Sequence, residues 1–286
     1  MYESIDNLNL YLLNIGFIDL DSNWNWEKVY SPFARIYYVT EGNAKTYING
    51  KEYVLQPEYL YLIPPFTLHE DECNSLFSLY YIHFYEQAYN KGTIFDKFDF
   101  PIGIKAELLD SLLIKRLLYI NPNRHLKYID PKIYDNTTGF SQYAADNNKI
   151  PLHFVLESQS ILCRLISLFL KDAKPKIRYK DMRINKCTDY IHKNMDRNIS
   201  ISQLANIACS TEDHLTRIFK KETDQTPIKY MNKKKIERAQ LLLLTTNRSV
   251  SDIALKLSFN NISYFHRLFK EYVKTTPRKY RSMYIH

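Results

Sequence analysis

Glycine is scarce in this 286-residue chain. There are six, and none follows Gly139. Any turn in the second half that needs a left-handed residue must therefore use one with a side chain, at a cost of about 1 kcal/mol or somewhat more. Cysteine is equally sparse. Cys73, Cys163, Cys187 and Cys209 include no two at metal-ligand spacing and form no disulfide-like framework, which predicts buried or idle thiols in a reducing compartment. No basic residue precedes Lys28, so no signal-peptide n-region is expected. The longest apolar stretch, Ile161 to Leu170, is interrupted by Arg164 and is too short to span a bilayer. The expectation is a cytoplasmic protein with no membrane partner.

The remainder of the composition, 45% hydrophobic and 24% charged residues, is that of a soluble globular protein, and the length allows two domains with separate cores. The net charge of +8 conceals an asymmetry. Residues 176–286 hold 23 basic and 10 acidic side chains, whereas residues 1–175 hold 16 and 21. A basic segment of +13 beside an acidic one of −5 suggests that only the basic one meets a polyanion, although a solvated lysine-rich face has the same composition.

From about residue 24 to 85 the chain reads as strands. Phe33–Thr40, Ala44–Ile48, Tyr53–Gln56, Tyr59–Ile63 and Phe77–Phe84 are rich in Tyr, Ile and Val and are separated by Glu41-Gly42, Asn49-Gly50, Pro57-Glu58 and Pro64-Pro65. Asn49-Gly50 predicts a type I′ hairpin, which needs φ > 0 at both positions. Such strands suggest a small antiparallel barrel or sandwich. Farther on, Leu108, Leu109, Leu112, Leu113 and Leu117 follow helical spacing, as do Phe154, Ile161, Leu165, Leu168 and Phe169. Leu156, Cys163 and Leu170 recur every seven residues, with Ile166 beside them, so Leu152–Leu170 is a candidate dimer helix. Burial against its own barrel is the alternative. Residues 172–183, charged and with a proline, read as a linker between a domain at 1–171 and another at 184–286.

The second segment contains one motif twice. Leu215-Thr-Arg-Ile-Phe-Lys220 recurs as Phe265-His-Arg-Leu-Phe-Lys270, and Thr226, Pro227 and Tyr230 recur as Thr276, Pro277 and Tyr280, all at an offset of 50 residues. Ser200-Ile-Ser-Gln203 and Ser249-Val-Ser-Asp252 are capping boxes that open apolar helices. Helix, tight turn and helix make a helix-turn-helix unit, expected at about 200–222 and 249–272, with a helix at about 227–245 between them that starts on a proline. That helix is a rod of roughly 27 Å, suited to holding two recognition helices near one DNA turn apart, about 34 Å. On the first recognition helix Asp213, Thr216, Arg217 and Lys220 share one face at i, i+3, i+4 and i+7; on the second Ser263, His266, Arg267 and Lys270 do the same. Arginine can contact guanine bidentately, Thr, Ser and His can bond base edges or phosphates, and lysine neutralises phosphates. Asp213 either accepts from cytosine N4 or caps the helix start at Thr211. Lys233, Lys234, Lys235 and Arg238 on the intervening helix either reach phosphates or are solvated.

Residues 184–284, including the run SYFHRLFKEYVKTTPRKYR from Ser263 to Arg281, resemble the AraC-type (AraC/XylS) transcriptional regulators. The resemblance implies base contacts from the outward positions, adds Ile262 to them, and implies an activator that works with RNA polymerase on double-stranded promoter DNA. The family usually places glycine where this chain has Asp224, Ser258 and Lys274. The segment Glu41–Phe84, with its Glu-Gly and Asn-Gly turns, Pro64-Pro65, His69 and a strand ending His83-Phe84, resembles the cupin-like sensing domain of the same family. Metal-binding cupins carry a His-x-His pair early on, but Gly42–Gln56 contains no histidine, so no metal, no cofactor and no enzyme activity are expected. Arg35, Tyr37, His69, Tyr81 and His83 are candidates for a small polar effector such as a sugar or other metabolite, with pure packing, and hence a ligand-independent regulator, as the alternative. The expected fold is α+β in two domains, a cupin-like antiparallel β-barrel with flanking helices followed by an all-α double helix-turn-helix module.

Overall fold

The computed structural model describes residues 8–87, 92–126, 129–131, 150–176 and 179–282, and it is α+β. Residues 177 and 178 of the expected linker and the last four residues of the chain lie outside this description. There are two compact units. One takes the chain up to Gln87 and Phe98–Lys174; the other takes Pro175–Ser282 and the short stretch that ends at Lys97.

The first unit is built on two antiparallel sheets. In one, β1 (Leu10–Leu20), β8 (Phe77–Glu86), β3 (Ala34–Gly42), β6 (Tyr59–Ile63) and β9 (Gly103–Lys105) lie in that order. In the other the order is β2 (Trp26–Val29), β7 (His69–Glu72), β4 (Ala44–Ile48) and β5 (Lys51–Leu55). Alternate side chains of both sheets, among them Tyr37, Val39, Ala44, Ile48, Leu55, Phe77 and Leu79, meet in one buried cluster with Trp24, as a two-residue side-chain period dictates. The β4–β5 turn has φ of 52° at Asn49 and 75° at Gly50, the conformation expected of the Asn-Gly pair.

Strands β1, β2, β7 and β9 go beyond the sequence expectation. β1 pairs with β8 along its whole length, from Leu10↔Glu86 to Leu20↔Phe77, with a bulge between Leu12 and Asn14. Leu12, Leu13, Asn14 and Ile15 are all buried, so β1 lacks clean alternation, as a strand covered on both faces does. Its cover is α2 (Leu108–Ile120) and α3 (Leu152–Leu170), which pack on it and on each other. In α2 the leucine spacing gives the helix but not its buried face. Leu108, Leu109 and Leu112 are 78%, 53% and 53% exposed, while Ile114, Leu117 and Ile120 are buried. Asp110 reaches back to the Glu107 N–H at 2.9 Å and pairs with Arg164 at 3.3 Å. These contacts turn the first-turn polar residues inward. α3 is long and apolar enough to cross a membrane by length and composition alone, yet Ile161, Leu162, Leu165, Ile166 and Phe169 are buried as a core stripe. Ile166 therefore belongs to the protein's own core and not to an external heptad; Leu156 is exposed and Cys163 and Leu170 half-buried.

The second unit is helical. It comprises α1 (Ile94–Lys97), α4 (Met182–Lys193), α5 (Ile201–Ile207), α6 (Glu212–Thr223), α7 (Pro227–Thr245), α8 (Val250–Lys256), α9 (Ile262–Val273) and α10 (Pro277–Ser282). Asp181 caps α4, so the charged stretch from 172 is already helical at its last two residues. α7 packs against α6, α8, α9 and α10.

Candidate nucleic-acid interface and barrel interior

Each half of the second unit is assembled from short-range chemistry. Ser200 and Gln203 exchange capping-box bonds of 2.9 and 3.1 Å at the start of α5; Ser249 and Asp252 do the same, at 3.3 and 3.0 Å, for α8. Both helices end alike. The Ser210 N–H donates to the Ala205 carbonyl and the Phe259 N–H to the Ala254 carbonyl, each at 2.9 Å. These bonds place Cys209 (φ 48°) and Ser258 (φ 56°) in the left-handed region, where glycine is the usual occupant. The first helices start 49 residues apart and the second ones 50, so the second turn is one residue longer. The extra residue, Asn260, follows Phe259, whose ring packs 5.1 Å from that of Phe265.

The second helices, α6 and α9, are capped by Thr211, which accepts from the His214 N–H at 3.3 Å, and Asn261, which accepts from the Tyr264 N–H at 2.9 Å. Leu215 and Phe219 of α6, and Phe265, Leu268 and Phe269 of α9, are buried. On the opposite face Asp213, Arg217 and Lys220 are exposed and Thr216 half-buried; Ile262, Ser263, Arg267 and Lys270 are exposed and His266 half-buried. Since the Thr211 hydroxyl caps α6, the Asp213 carboxylate is left exposed in the first turn, where it suits the helix dipole. Both second helices end on left-handed residues, Asp224 (φ 58°) and Lys274 (φ 63°). All three positions at which glycine is replaced thus keep the glycine-type backbone.

The 19-residue α7 begins at Pro227 with Thr226 as its cap, but its lysine run is neither wholly solvated nor wholly available to phosphates. Lys234 Nζ lies 3.0 Å from Asp96 Oδ1 and 3.0 Å from Glu237 Oε2. Burial works against the Lys234 charge, but Asp96 and then Glu237 overcome it and hold its pKa above the usual lysine value. Burial likewise opposes the Asp96 carboxylate; Lys234, His192 and the Thr93 N–H outweigh it, and its pKa falls below the usual carboxylate range. Lys235 is buried, donates to the Arg197 carbonyl at 3.2 Å and stands 5.4 Å from the centre of the Phe259 ring. Burial brings its pKa down to about 8, although the Asp196 carboxylate pulls the other way. Lys235 thus touches the turn before α5 and the turn before α9, tying both repeats to the spacer.

In the first unit all five candidate effector residues are buried, and they divide into two groups. Arg35, His69 and His83 interact electrostatically. Arg35 Nη2 donates to Ser31 Oγ at 2.6 Å and the guanidinium lies 4.9 Å from the centre of the Phe33 ring. Asp71, which sequence reasoning misses because the acidic β7 gives no strand signal, completes this group: its Oδ2 is 3.7 Å from His69 Nε2. His69 Nδ1 lies 3.1 Å from the Thr67 carbonyl, which can only accept, so Nδ1 carries the proton and Nε2 turns its lone pair to Asp71. Burial, and then Arg35, push the His69 pKa down to about 3. Burial lifts Asp71 to about 7 against Thr46 and Arg35, and burial takes His83 well below its ordinary value. Tyr37 and Tyr81 have other work. Tyr37 is in the apolar cluster with its ring edge-on to Trp24 at 6.2 Å. The Tyr81 hydroxyl accepts from the Leu126 N–H at 2.7 Å, and its ring passes so close over Gly16 that a Cβ there would overlap the hydroxyl. Among the described residues no three of His, Cys, Asp or Glu are grouped so as to hold a metal ion.

Comparison with known proteins gives two family matches, an AraC-like ligand binding domain over residues 21–91 and a helix-turn-helix domain over residues 204–283. Over 100 residues, 35% of this chain, it is 32% identical to a Bacillus subtilis protein named bifunctional transcriptional activator/DNA repair enzyme AdaA, covering 47% of that protein. It is also 32% identical over 101 residues to an HTH-type transcriptional regulator of Staphylococcus aureus, covering 14% of it. The match therefore spans about half of the first relative and a seventh of the second. Among solved structures it is similar to the C-terminal domain of the response regulator yesN from Fusobacterium nucleatum (30% identity, 33% of this chain and 93% of that one, TM-score 0.32). It is also similar to wild-type ToxT from Vibrio cholerae (14% identity, 99% of this chain and 98% of that one, TM-score 0.43). With its antiparallel barrel matching the ligand-binding family and its helical repeat the helix-turn-helix family, the chain belongs to the AraC-type transcriptional regulators.

Proposed function

We propose that this protein is a cytoplasmic, sequence-specific DNA-binding regulator of transcription that reads two neighbouring major-groove segments of a promoter. The observation that carries the reading is the pair of exposed, matched edges on α6 and α9, in a segment of +13, on a spacer of 19 residues. Arg217 and Arg267 read bases. Thr216, Ser263, His266 and Ile262 line the groove, Lys220 and Lys270 meet phosphates, and Asp213 faces cytosine N4. The test is Arg267→Ala, scored by binding to a panel of single-base variants of a selected site. A loss of about 1–3 kcal/mol with relaxed preference at one base pair is expected; unchanged affinity and preference would remove Arg267 from the interface.

The family resemblance supports activation through RNA polymerase in preference to repression, and a non-enzymatic role. The buried group around Arg35, His69, His83 and Asp71 supports a first unit that binds a small polar effector, and the exposed Leu156 beside Cys163 and Leu170 supports a homodimer. A second reading, a ligand-independent regulator, is favoured by the engagement of Tyr37 and Tyr81 in packing and hydrogen bonding. A thermal-shift screen of sugars and other metabolites separates the two, because a ligand of the folded state raises its apparent stability.

A further inference from the structure

Each of the two recognition arginines is held by the residue three positions before it, and the two holders occupy the same place in the 50-residue repeat. In α6, Arg217 Nη2 lies 3.0 Å from His214 Nδ1. In α9, the Arg267 guanidinium lies 5.4 Å from the centre of the Tyr264 ring. An i, i+3 spacing puts such pairs side by side on a helix. Tyr264 is itself fixed, and His214 is packed beside a second arginine. The Tyr264 hydroxyl accepts from Asn232 Nδ2 of the spacer helix at 3.0 Å, and its ring stands 6.3 Å from that of Phe259. His214 Nε2 lies 3.4 Å from Arg183 Nη1, and Arg183 is clamped by Asp181, Nη2 to Oδ2, at 2.6 Å. Arginine only donates and a neutral imidazole accepts at one nitrogen, so the shorter 3.0 Å contact makes Nδ1 the acceptor; Nε2 then carries the proton, and the 3.4 Å approach of Arg183 Nη1, itself a donor, is packing and not a hydrogen bond.

We propose that His214 and Tyr264 are positioning residues for base specificity, holding Arg217 and Arg267 in the rotamers from which they meet the DNA. The inference rests on the reading that these two arginines contact bases. An unbraced arginine on an exposed helix loses its rotamer freedom only on binding, and holding it beforehand spares the complex that cost, worth about 2- to 10-fold in affinity per side chain. The two braces are chemically different. A ring face attracts the guanidinium as a whole and uses none of its five N–H donors, so Arg267 keeps its entire fork for a bidentate contact to guanine. The His214 bond engages one Nη2 donor of Arg217. The α9 half of the site is accordingly the more stringent.

The test uses the intact chain and a selected duplex site, with fluorescence anisotropy against every single-base variant. The proteins are Tyr264→Leu, Tyr264→Phe, Arg267→Ala and the double variant Tyr264→Leu/Arg267→Ala, with His214→Leu, Arg217→Ala and their double variant for the other half. Tyr264→Leu is expected to weaken discrimination about 2- to 10-fold at the base pair relaxed by Arg267→Ala, and nowhere else. Tyr264→Phe, which keeps the ring face, retains it. The double variant loses no more at that base pair than Arg267→Ala alone, and discrimination at the other base pairs stays at the wild-type value. Wild-type discrimination in Tyr264→Leu, or losses that add in the double variant, would overturn the positioning role while leaving the base contacts standing. A uniform weakening across all sites together with a lowered melting temperature would also overturn it, as the mark of a merely structural residue. Unchanged preference in Arg267→Ala would instead remove the contact reading and the brace with it.

Discussion

Replacing Ser258 with glycine should stabilise the helical unit. Ser258 sits at φ 56° in the turn between α8 and α9, held there by its own N–H on the Leu255 carbonyl at 2.8 Å and by the Phe259 N–H on Ala254. A left-handed conformation costs a residue with a Cβ about 1–2 kcal/mol. Glycine removes that cost but adds unfolded-chain freedom worth about 0.5–1 kcal/mol. The net gain is about 0.5–1 kcal/mol, and for a domain of this size about 4–8 °C in Tm accompanies each kcal/mol, so calorimetry of the intact chain should show this unit's transition rising by about 2–8 °C. Ser258→Val should lower it, since a β-branched side chain fits the left-handed region worst. Asp224 gains less on the same change, because aspartate tolerates this conformation better. Lys274 gains less because its ammonium, 2.9 Å from the Glu271 carbonyl, suits the C-terminal end of α9. A Ser258→Gly protein that melts at or below the wild-type temperature would refute the assignment of strain to this turn.

Two further predictions concern buried charge. Asp96→Asn keeps an acceptor for the Thr93 N–H and hydroxyl but leaves Lys234 with Glu237 alone. With Asp96 and Lys234 side chains about a quarter exposed, the expected cost is about 1–3 kcal/mol, read by chemical denaturation, less than for a fully buried pair. A depressed carboxylate stabilises above its unfolded pKa and loses that contribution as pH falls, so the variant should also show a flatter decline in acid; equal declines would contradict the pair's role. In the barrel, His69 lies down at about 3 and Asp71 up at about 7. Between these values the unfolded state binds more protons at the histidine and fewer at the aspartate, so their effects on stability oppose each other. Asp71→Asn removes one side. The barrel should melt higher at about pH 8 and lose stability more steeply from about pH 6.5 to about pH 4 than the wild type, and a parallel pH profile would count against an Asp71 carboxyl whose pKa is raised by burial.

The parts of this protein legible from sequence are those set by local chemistry. The capping boxes, the Asn49-Gly50 turn and the proline-led α7 each depend on residues within a few positions of one another, and the outward edges of α6 and α9 follow from helical periodicity alone. What escapes depends on tertiary context. β1 is covered on both faces, so it lacks the alternation that marks a half-buried strand, and β7 is a short, acidic run, HEDE, whose His69 and Asp71 turn inward. Lys234 looks like a phosphate ligand because its partner, Asp96, is 138 residues away in sequence, and Lys235 does so because its burial is created by Phe259 and the Arg197 carbonyl. Leu108 and Leu112 keep helical spacing but lie on the exposed side of α2. The braces are accessible to sequence reasoning. His214 and Tyr264 are themselves 50 residues apart, and each precedes a recognition arginine by three, but a search for outward cations passes over what holds them.

The central claim is that α6 and α9, held by a 19-residue rod of roughly 28 Å, read adjacent turns of one duplex. Selection of bound fragments from random DNA by the intact chain tests it most directly. The account predicts a site of two short conserved blocks whose centres are about 10–10.5 base pairs apart, the block lost in Arg217→Ala differing from the block lost in Arg267→Ala. A single block, a spacing far from one turn, or recovered fragments with no shared sequence would contradict it.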